Sequence, residues 1–193
     1  MAASKREQLI ETALTLFNRV GYHATGIDRI LAESGVAKMT LYNHFKSKDE
    51  LIVAALESRF AEIRQRLDYA REHAEPRAAV LGAFDGLQEW LKQDDFCGCL
   101  FASAAAEFSD RSHPVHQQAA QQKRHLADYF EHALQRLNVA NPGVLARQLQ
   151  FLFEGAVDMA HLYGPADQAL EARAAALILL EAAGVNRAGA EKP

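Results

Sequence analysis

The residues of this chain best suited to chemistry lie between Thr25 and Lys48. Read as a helix, Lys38 to Phe45 sets Leu41 and Phe45 on one face and gathers Met39, Thr40, Asn43 and His44 on the other, with Lys38 at the N-terminal end and Tyr42 at the edge. One face suits packing and the other suits reading. Asn pairs with adenine in a DNA major groove, apolar groups meet thymine methyls, and the segment carries no acidic side chain to oppose the approach. Lys46 and Lys48 follow within reach of phosphates. A preceding helix starting at Ile27, with the Thr25 hydroxyl and Asp28 carboxylate as its expected caps, offers its amide-rich N-terminus as a second anion site.

A second constellation is Cys97-Gly98-Cys99, followed by Glu107, His113, His116 and His125. Two thiolates and two imidazoles complete a tetrahedral zinc set, and a thiolate beside a helix N-terminus is poised for oxidation. A Cys-x-Cys with no second matched pair is nevertheless a weak pattern, and free cysteine is a common core residue. With no apolar export segment at the N-terminus, the expectation is two reduced structural thiols in a cytoplasmic protein, with redox or metal sensing as the alternative. No Gly-rich phosphate loop, nucleophile elbow or zinc-protease motif occurs, so neither enzyme activity nor a cofactor is expected. A helical dimer that binds only a protein partner is a further reading.

The elements that must position these groups are helices. In 193 residues there are only 11 Gly and 5 Pro, and 49% of residues are hydrophobic against 24% charged, an ordinary globular balance able to bury a core without staples. Leu9, Ile10, Ala13, Leu14, Phe17 and Val20 recur at helical spacing until Gly21, which bounds a first helix of Ser4 to Val20. Ile27 to Ser34 and Lys38 to Phe45 follow, separated by Gly35-Val36-Ala37, with Gly35 at a left-handed cap. Ser47-Lys48-Asp49-Glu50 reads as a capping box opening a long helix. Six apolar-periodic segments run from there: Asp49 to His73, Ala78 to Lys92, Cys99 to Phe108, Val115 to Leu137, Val144 to Tyr163 and Gln168 to Ala183. The expected fold is all-α with about nine helices. No run is long and apolar enough to span a bilayer.

Charge divides the chain unevenly. Residues 1–48 carry seven Lys/Arg against four Asp/Glu, while the remainder is acidic enough to bring the total to -4. A basic N-terminal module of residues 1–48, with residues 49–193 as a second domain, places any polyanion contact at the N-terminus.

Helix, Gly-containing turn and helix from Ile27 to Phe45 is the layout of a helix-turn-helix. The run Thr40-Leu41-Tyr42-Asn43-His44-Phe45-Lys46-Ser47-Lys48-Asp49-Glu50-Leu51, preceded by Gly35-Val36 and by Phe17-Asn18-Arg19-Val20-Gly21-Tyr22, closely resembles the DNA-binding domain of the tetracycline-repressor (TetR/AcrR) family of bacterial transcription regulators. The resemblance covers about 50 contiguous residues and keeps helix order, turns and spacing. It implies a homodimeric repressor that binds a palindromic operator and whose larger C-terminal domain takes a small-molecule effector. Carried over by position, Lys38, Met39 and Asn43 would face base edges, and Thr25, Thr40, Tyr42, His44, Lys46 and Lys48 would mostly hold phosphates. Two positions depart from the family pattern. Met39 replaces a residue that is often small, and Asp28 stands where a basic residue sometimes reads bases.

The same resemblance makes the last two helices a dimer surface. The sequence permits this, with Leu149, Leu152, Phe153, Ala156, Met159 and Ala160 striping one and Leu170, Ala174, Leu177, Ile178 and Leu180 the other. Aromatic residues of the middle helices could wall an effector pocket for an apolar or planar molecule. Trp90, Phe101 and Tyr129 are the wall candidates, and Glu107 and His125 the polar anchors.

Overall fold

The computed structural model describes residues 4–185, and every regular element among them is a helix. In chain order these are α1 (Lys5–Val20), α2 (Ile27–Ser34), α3 (Lys38–His44), α4 (Lys48–His73), α5 (Pro76–Leu91), α6 (Leu100–Glu107), α7 (Pro114–Arg136), α8 (Pro142–Tyr163) and α9 (Gln168–Ala182). The all-α class and the nine-helix order match the expectation from sequence.

Local chemistry accounts for the ends. Ser4 Oγ accepts from Glu7 N at 3.2 Å while the Glu7 carboxylate accepts from Ser4 N at 2.7 Å, a reciprocal capping box that opens α1. These bonds hold the Glu7 carboxyl below its ordinary range. α2 ends on Gly35 at φ 63°, ψ 18°, the left-handed cap expected there. Ahead of α4, Ser47 Oγ accepts from Glu50 N at 3.2 Å, but Glu50 reaches back to Lys46 N, one residue earlier than a standard box. α5, α7 and α8 each begin at a proline, slightly before the apolar periodicity does, because proline has no N–H to lose in a first turn.

The start of α2 differs from the expected cap. Its N-cap is Gly26, with no side-chain bond, and Thr25 is fully buried with its hydroxyl donating to Gly21 O at 2.7 Å. The carbonyls at the end of α1 lack helical donors, and the Thr25 hydroxyl satisfies one of them instead of serving α2.

Compactness divides the chain into two units. The first holds the described residues up to Arg64 together with Cys99–Lys123, and the second holds Gln65–Gly98 with the described residues from Arg124 onward. The first unit is discontinuous in sequence and reaches past residue 48. The cause is its core, in which Leu9, Phe17, Tyr22, Ile30 and Leu41 share one cluster with Leu51, Ile52 and Leu56 of α4, Phe101 and Ala104 of α6, and Val115 and Ala119 of α7. Within this unit α1 packs on α2 and α3.

In the second unit α9 packs on α5 and α8. Its centre is aromatic: Phe84 lies 5.9 Å from both Phe130 and Phe153, and Tyr129 meets Phe130 edge-on at 5.7 Å. Leu41, on α3, has no exposed surface and so tests how firmly that helix is seated. Leu41→Ala is expected to lower the stability of the fold by about 2–5 kcal/mol, read as a shift in the denaturant midpoint.

Candidate nucleic-acid interface and regulatory residues

α3 displays the two faces expected of it. Leu41 and Phe45 are buried, whereas Lys38, Met39, Tyr42, Asn43 and His44 are exposed and Thr40 is half-buried. Met39 is 73% exposed, a degree of solvation that an apolar side chain accepts only at a cost. Lys46 is exposed, and Lys48, at the first position of α4, lies with Nζ 3.5 Å from His23 O. Lys38 forms an ion pair with Asp28 at 3.3 Å. Thr25 differs from the expected phosphate-holding group, since its side chain is sealed in the core and its hydroxyl is committed to Gly21 O.

The corner between α1 and α2 is held from α6. The Glu107 carboxylate accepts from Tyr22 N at 2.9 Å and from His23 N at 2.6 Å, and Tyr22 OH donates to Leu100 O at 2.8 Å. Tyr22 is wholly buried and stacks on Phe17 at 5.0 Å. Burial pushes its phenol well above the usual range, with Cys99 and Glu107 adding to the shift, so it stays a neutral donor. Gly21 is required here: its φ is +95°, and a Cβ would stand 3.0 Å from Glu107 Oε1. Glu107 is therefore a clamp on the helix-turn-helix and differs from the effector anchor expected, because two charge-assisted backbone bonds already occupy its oxygens.

Cys99 is the N-cap of α6. Its Sγ accepts from Ala102 N at 3.5 Å and from Lys123 Nζ at 3.2 Å. Cys97 is also a free thiol, half-buried, and belongs to the second unit. The histidines read as metal ligands have other partners. His113 stacks on Phe108 at 4.7 Å and faces Asp49 at 3.4 Å, and His116 Nδ1 lies 2.8 Å from Phe108 O. Among the described residues no group of three or more His, Cys, Asp and Glu could hold a metal ion.

The five residues expected to bind an effector do not share one unit. Phe101 is buried in the core of the first unit, in one cluster with residues of α1 and α4, and Glu107 lies in the same unit. Trp90, His125 and Tyr129 belong to the second. There Trp90 is half-buried and edge-on to Phe96 at 5.1 Å, and His125 Nε2 faces Asp68 at 3.7 Å. Tyr129 is buried with its OH donating to Ala79 O at 2.9 Å, and burial pushes its phenol up to about 12. A groove of about 280 Å³ in the second unit is lined by Val139, Val144, Leu145, Gln148 and Leu179 among others, and one of about 350 Å³ in the first by Arg6, Ile10 and Glu57 among others. None of the five expected residues lines either groove.

The stripes read as a dimer surface mix two populations. Leu149, Ala156, Ala160 and Leu180 are buried within the chain, while Met159, Leu170 and Ile178 are exposed. Phe151 is 70% exposed, and Leu162 and Tyr163 add to the same kind of surface. Both populations recur at helical spacing, so the pattern alone did not separate them.

The corner provides a test. Glu107→Ala removes both acceptors from two backbone N–H groups, and is expected to cost about 2–4 kcal/mol in thermal or denaturant unfolding, with Glu107→Gln costing less.

Comparison with known proteins agrees with this geometry. A family model described as bacterial regulatory proteins of the tetR family matches residues 9–55, and a tetracyclin repressor-like C-terminal domain matches residues 76–176. The HTH-type transcriptional regulator YjdC of Escherichia coli is 27% identical over 153 residues, covering 78% of this chain and 80% of its own. A TetR-family transcriptional regulator from Streptomyces coelicolor superposes with a TM-score of 0.88 at 29% identity, over 93% of this chain and 95% of that one. The reduced form of NemR from E. coli superposes with a TM-score of 0.81 at 26% identity, over 89% and 94% of the two chains. The chain thus belongs to the TetR family of helix-turn-helix transcription regulators, which bind DNA and are not enzymes.

Proposed function

We propose that this regulator is a cytoplasmic repressor that binds a palindromic operator as a homodimer and is released by a small-molecule effector. The observation that carries the DNA-reading part is α3, whose outer face offers exposed Lys38, Met39, Asn43 and His44 over a buried Leu41 and Phe45. Lys38, Met39 and Asn43 read base edges, while Thr40, Tyr42, His44, Lys46 and Lys48 hold phosphates.

Dimerisation is supported by apolar side chains on α8 and α9 that this chain leaves in water, chiefly Phe151, Met159, Leu162, Leu170 and Ile178. Two such helices from each subunit close a four-helix bundle. Two recognition helices then address half-sites about one helical turn, ~34 Å, apart. The effector, an apolar or planar molecule, acts by favouring a dimer whose spacing misses the half-sites, with Trp90, His125 and Tyr129 as its candidate contacts. DNA and effector oppose each other through one coupling energy. No helix among the described residues is long and apolar enough to cross a membrane.

A second reading, thiol-based control, is favoured by one observation: the Cys99 sulfur faces both the Lys123 ammonium and the N-terminus of α6. Oxidation of that thiol would disturb the helix that carries Glu107.

Selection of sequences from random DNA at moderate salt tests the main reading, with an enriched palindrome as the expected result and no enrichment as the overturning one. Lys48→Ala should weaken binding to all sequences alike and reduce the salt slope by about one per subunit. Ile178→Asp and Phe151→Asp should give monomers in sedimentation, since each places a charge in the apolar contact. An unchanged dimer would remove α8 and α9 as the interface. For thiol control, omission of reductant should lower DNA retention, and Cys99→Ser should abolish that sensitivity. Equal retention with and without reductant would dismiss it.

A further inference from the structure

We propose that Asp28 is a specificity-determining residue which, as an ion pair with Lys38, selects one G·C base pair in each half-site. The inference rests on the base-reading role proposed for Lys38.

Stability does not explain the pair. The two side chains are 88% and 63% exposed, and an exposed ion pair contributes little to folding. Lys38 is the first residue of α3, where the helix dipole disfavours a cation, whereas Asp28, second in α2, suits a carboxylate. The carboxylate therefore holds the ammonium at the leading end of the recognition helix, 3.3 Å away. The neighbouring Arg29 is engaged by Glu33 at 2.9 Å, which leaves Asp28 to Lys38.

The pair is complementary to one base-pair edge. In the major groove guanine presents N7 and O6 as acceptors, and its cytosine presents the N4 amino group as donor. O6 and N4 are themselves hydrogen-bonded, so they lie about 2.9 Å apart, close to the separation of the Lys38 and Asp28 charges. The ammonium can donate to O6 and N7 while the carboxylate accepts from N4, with the ion pair intact. An A·T edge places its amino donor between its two acceptors, so the ammonium gains one acceptor there and not two adjacent ones.

Asp28 has a second effect. A carboxylate on this surface is repelled by phosphates everywhere along DNA, and its hold on Lys38 keeps that ammonium from a backbone contact. The pair thus weakens binding to unrelated DNA while sharpening the choice among operators.

The test uses the full-length protein and its Asp28→Asn, Asp28→Ala and Lys38→Ala variants, each first shown to melt like wild type. Each is taken through selection from random DNA, then titrated against the selected palindrome with every base pair substituted in turn, over a salt series. Wild type should prefer G·C to A·T by about tenfold at one symmetric position. Both Asp28 variants should lose that preference there and keep it elsewhere. Their affinity for unrelated DNA should rise, with a salt slope steeper by about one per subunit as Lys38 turns to a phosphate. Lys38→Ala should lose the same position, and adding Asp28→Ala to it should change that position no further.

A wild-type preference profile that survives unchanged in both Asp28 variants overturns the assignment while leaving DNA binding standing. Loss of an A·T preference instead overturns the base assigned. Failure of wild type to enrich any sequence overturns the proposed function, and this inference with it.

Discussion

The helix-turn-helix depends on a carboxylate that sits far from it in sequence. Glu107, at the end of α6, accepts two successive backbone N–H groups, those of Tyr22 and His23, where the chain turns out of α1. Bringing residues 85 positions apart together carries a loop-closure cost that grows only slowly with length, and two charge-assisted bonds in a half-buried place offset it. The rest of the corner is fitted around that contact. Gly21 takes a φ of +95° that favours glycine and leaves room for the carboxylate, Tyr22 stacks on Phe17 in the core, and the Thr25 hydroxyl donates to the carbonyl of Gly21. α2 begins without a side-chain cap, and α3 is seated by the buried Leu41.

What could be read from the sequence was what repeats or punctuates. The alternation of Leu41 and Phe45 with Asn43 and His44 located the two faces of α3, and Gly21, Gly35 and the prolines marked helix ends correctly, because periodicity and backbone geometry are local properties. Thr25 and Glu107 were misread for the opposite reason. A threonine before a helix and a glutamate at the end of another have local uses, and only the tertiary fold decides that each serves a carbonyl or an amide elsewhere. Phe101 enters the core of the first unit, and an aromatic residue carries no mark in the sequence of which core it will join. Leu149 and Met159 lie on one helix at apolar spacing, yet one is buried and the other is not. Periodicity identifies an apolar stripe without saying whether its partner lies in the same chain.

Two exposed surfaces stand apart from the rest, and they differ in physics. The outer face of α3 is polar, with cations at Lys38 and Lys46 and one carboxylate at Asp28 beside them, so it is suited to a charged and hydrated partner. The exposed sides of α8 and α9 are apolar, with Phe151, Leu162 and Ile178 at 66–70% exposure, and water is the partner they fit least. Under the proposed function, affinity for DNA is a matter of ions and salt, while self-association through α8 and α9 would be a matter of buried area.

The discontinuity of the first unit bears on how the protein is made. Residues 5–44 hold all three helices of the motif, yet Phe101, Ala104, Val115 and Ala119 complete their core, and the entire Gln65–Gly98 segment is synthesised in between. On the ribosome the N-terminal helices must wait for α6 and the start of α7 to emerge, with Tyr22 and Phe17 lacking part of their cover meanwhile. A graft of the motif alone would carry the recognition helix to a new host without its clamp. The smallest portable reading head of this regulator is a two-piece one, and a chimera that respects it must exchange α6 and the start of α7 along with α1 to α4.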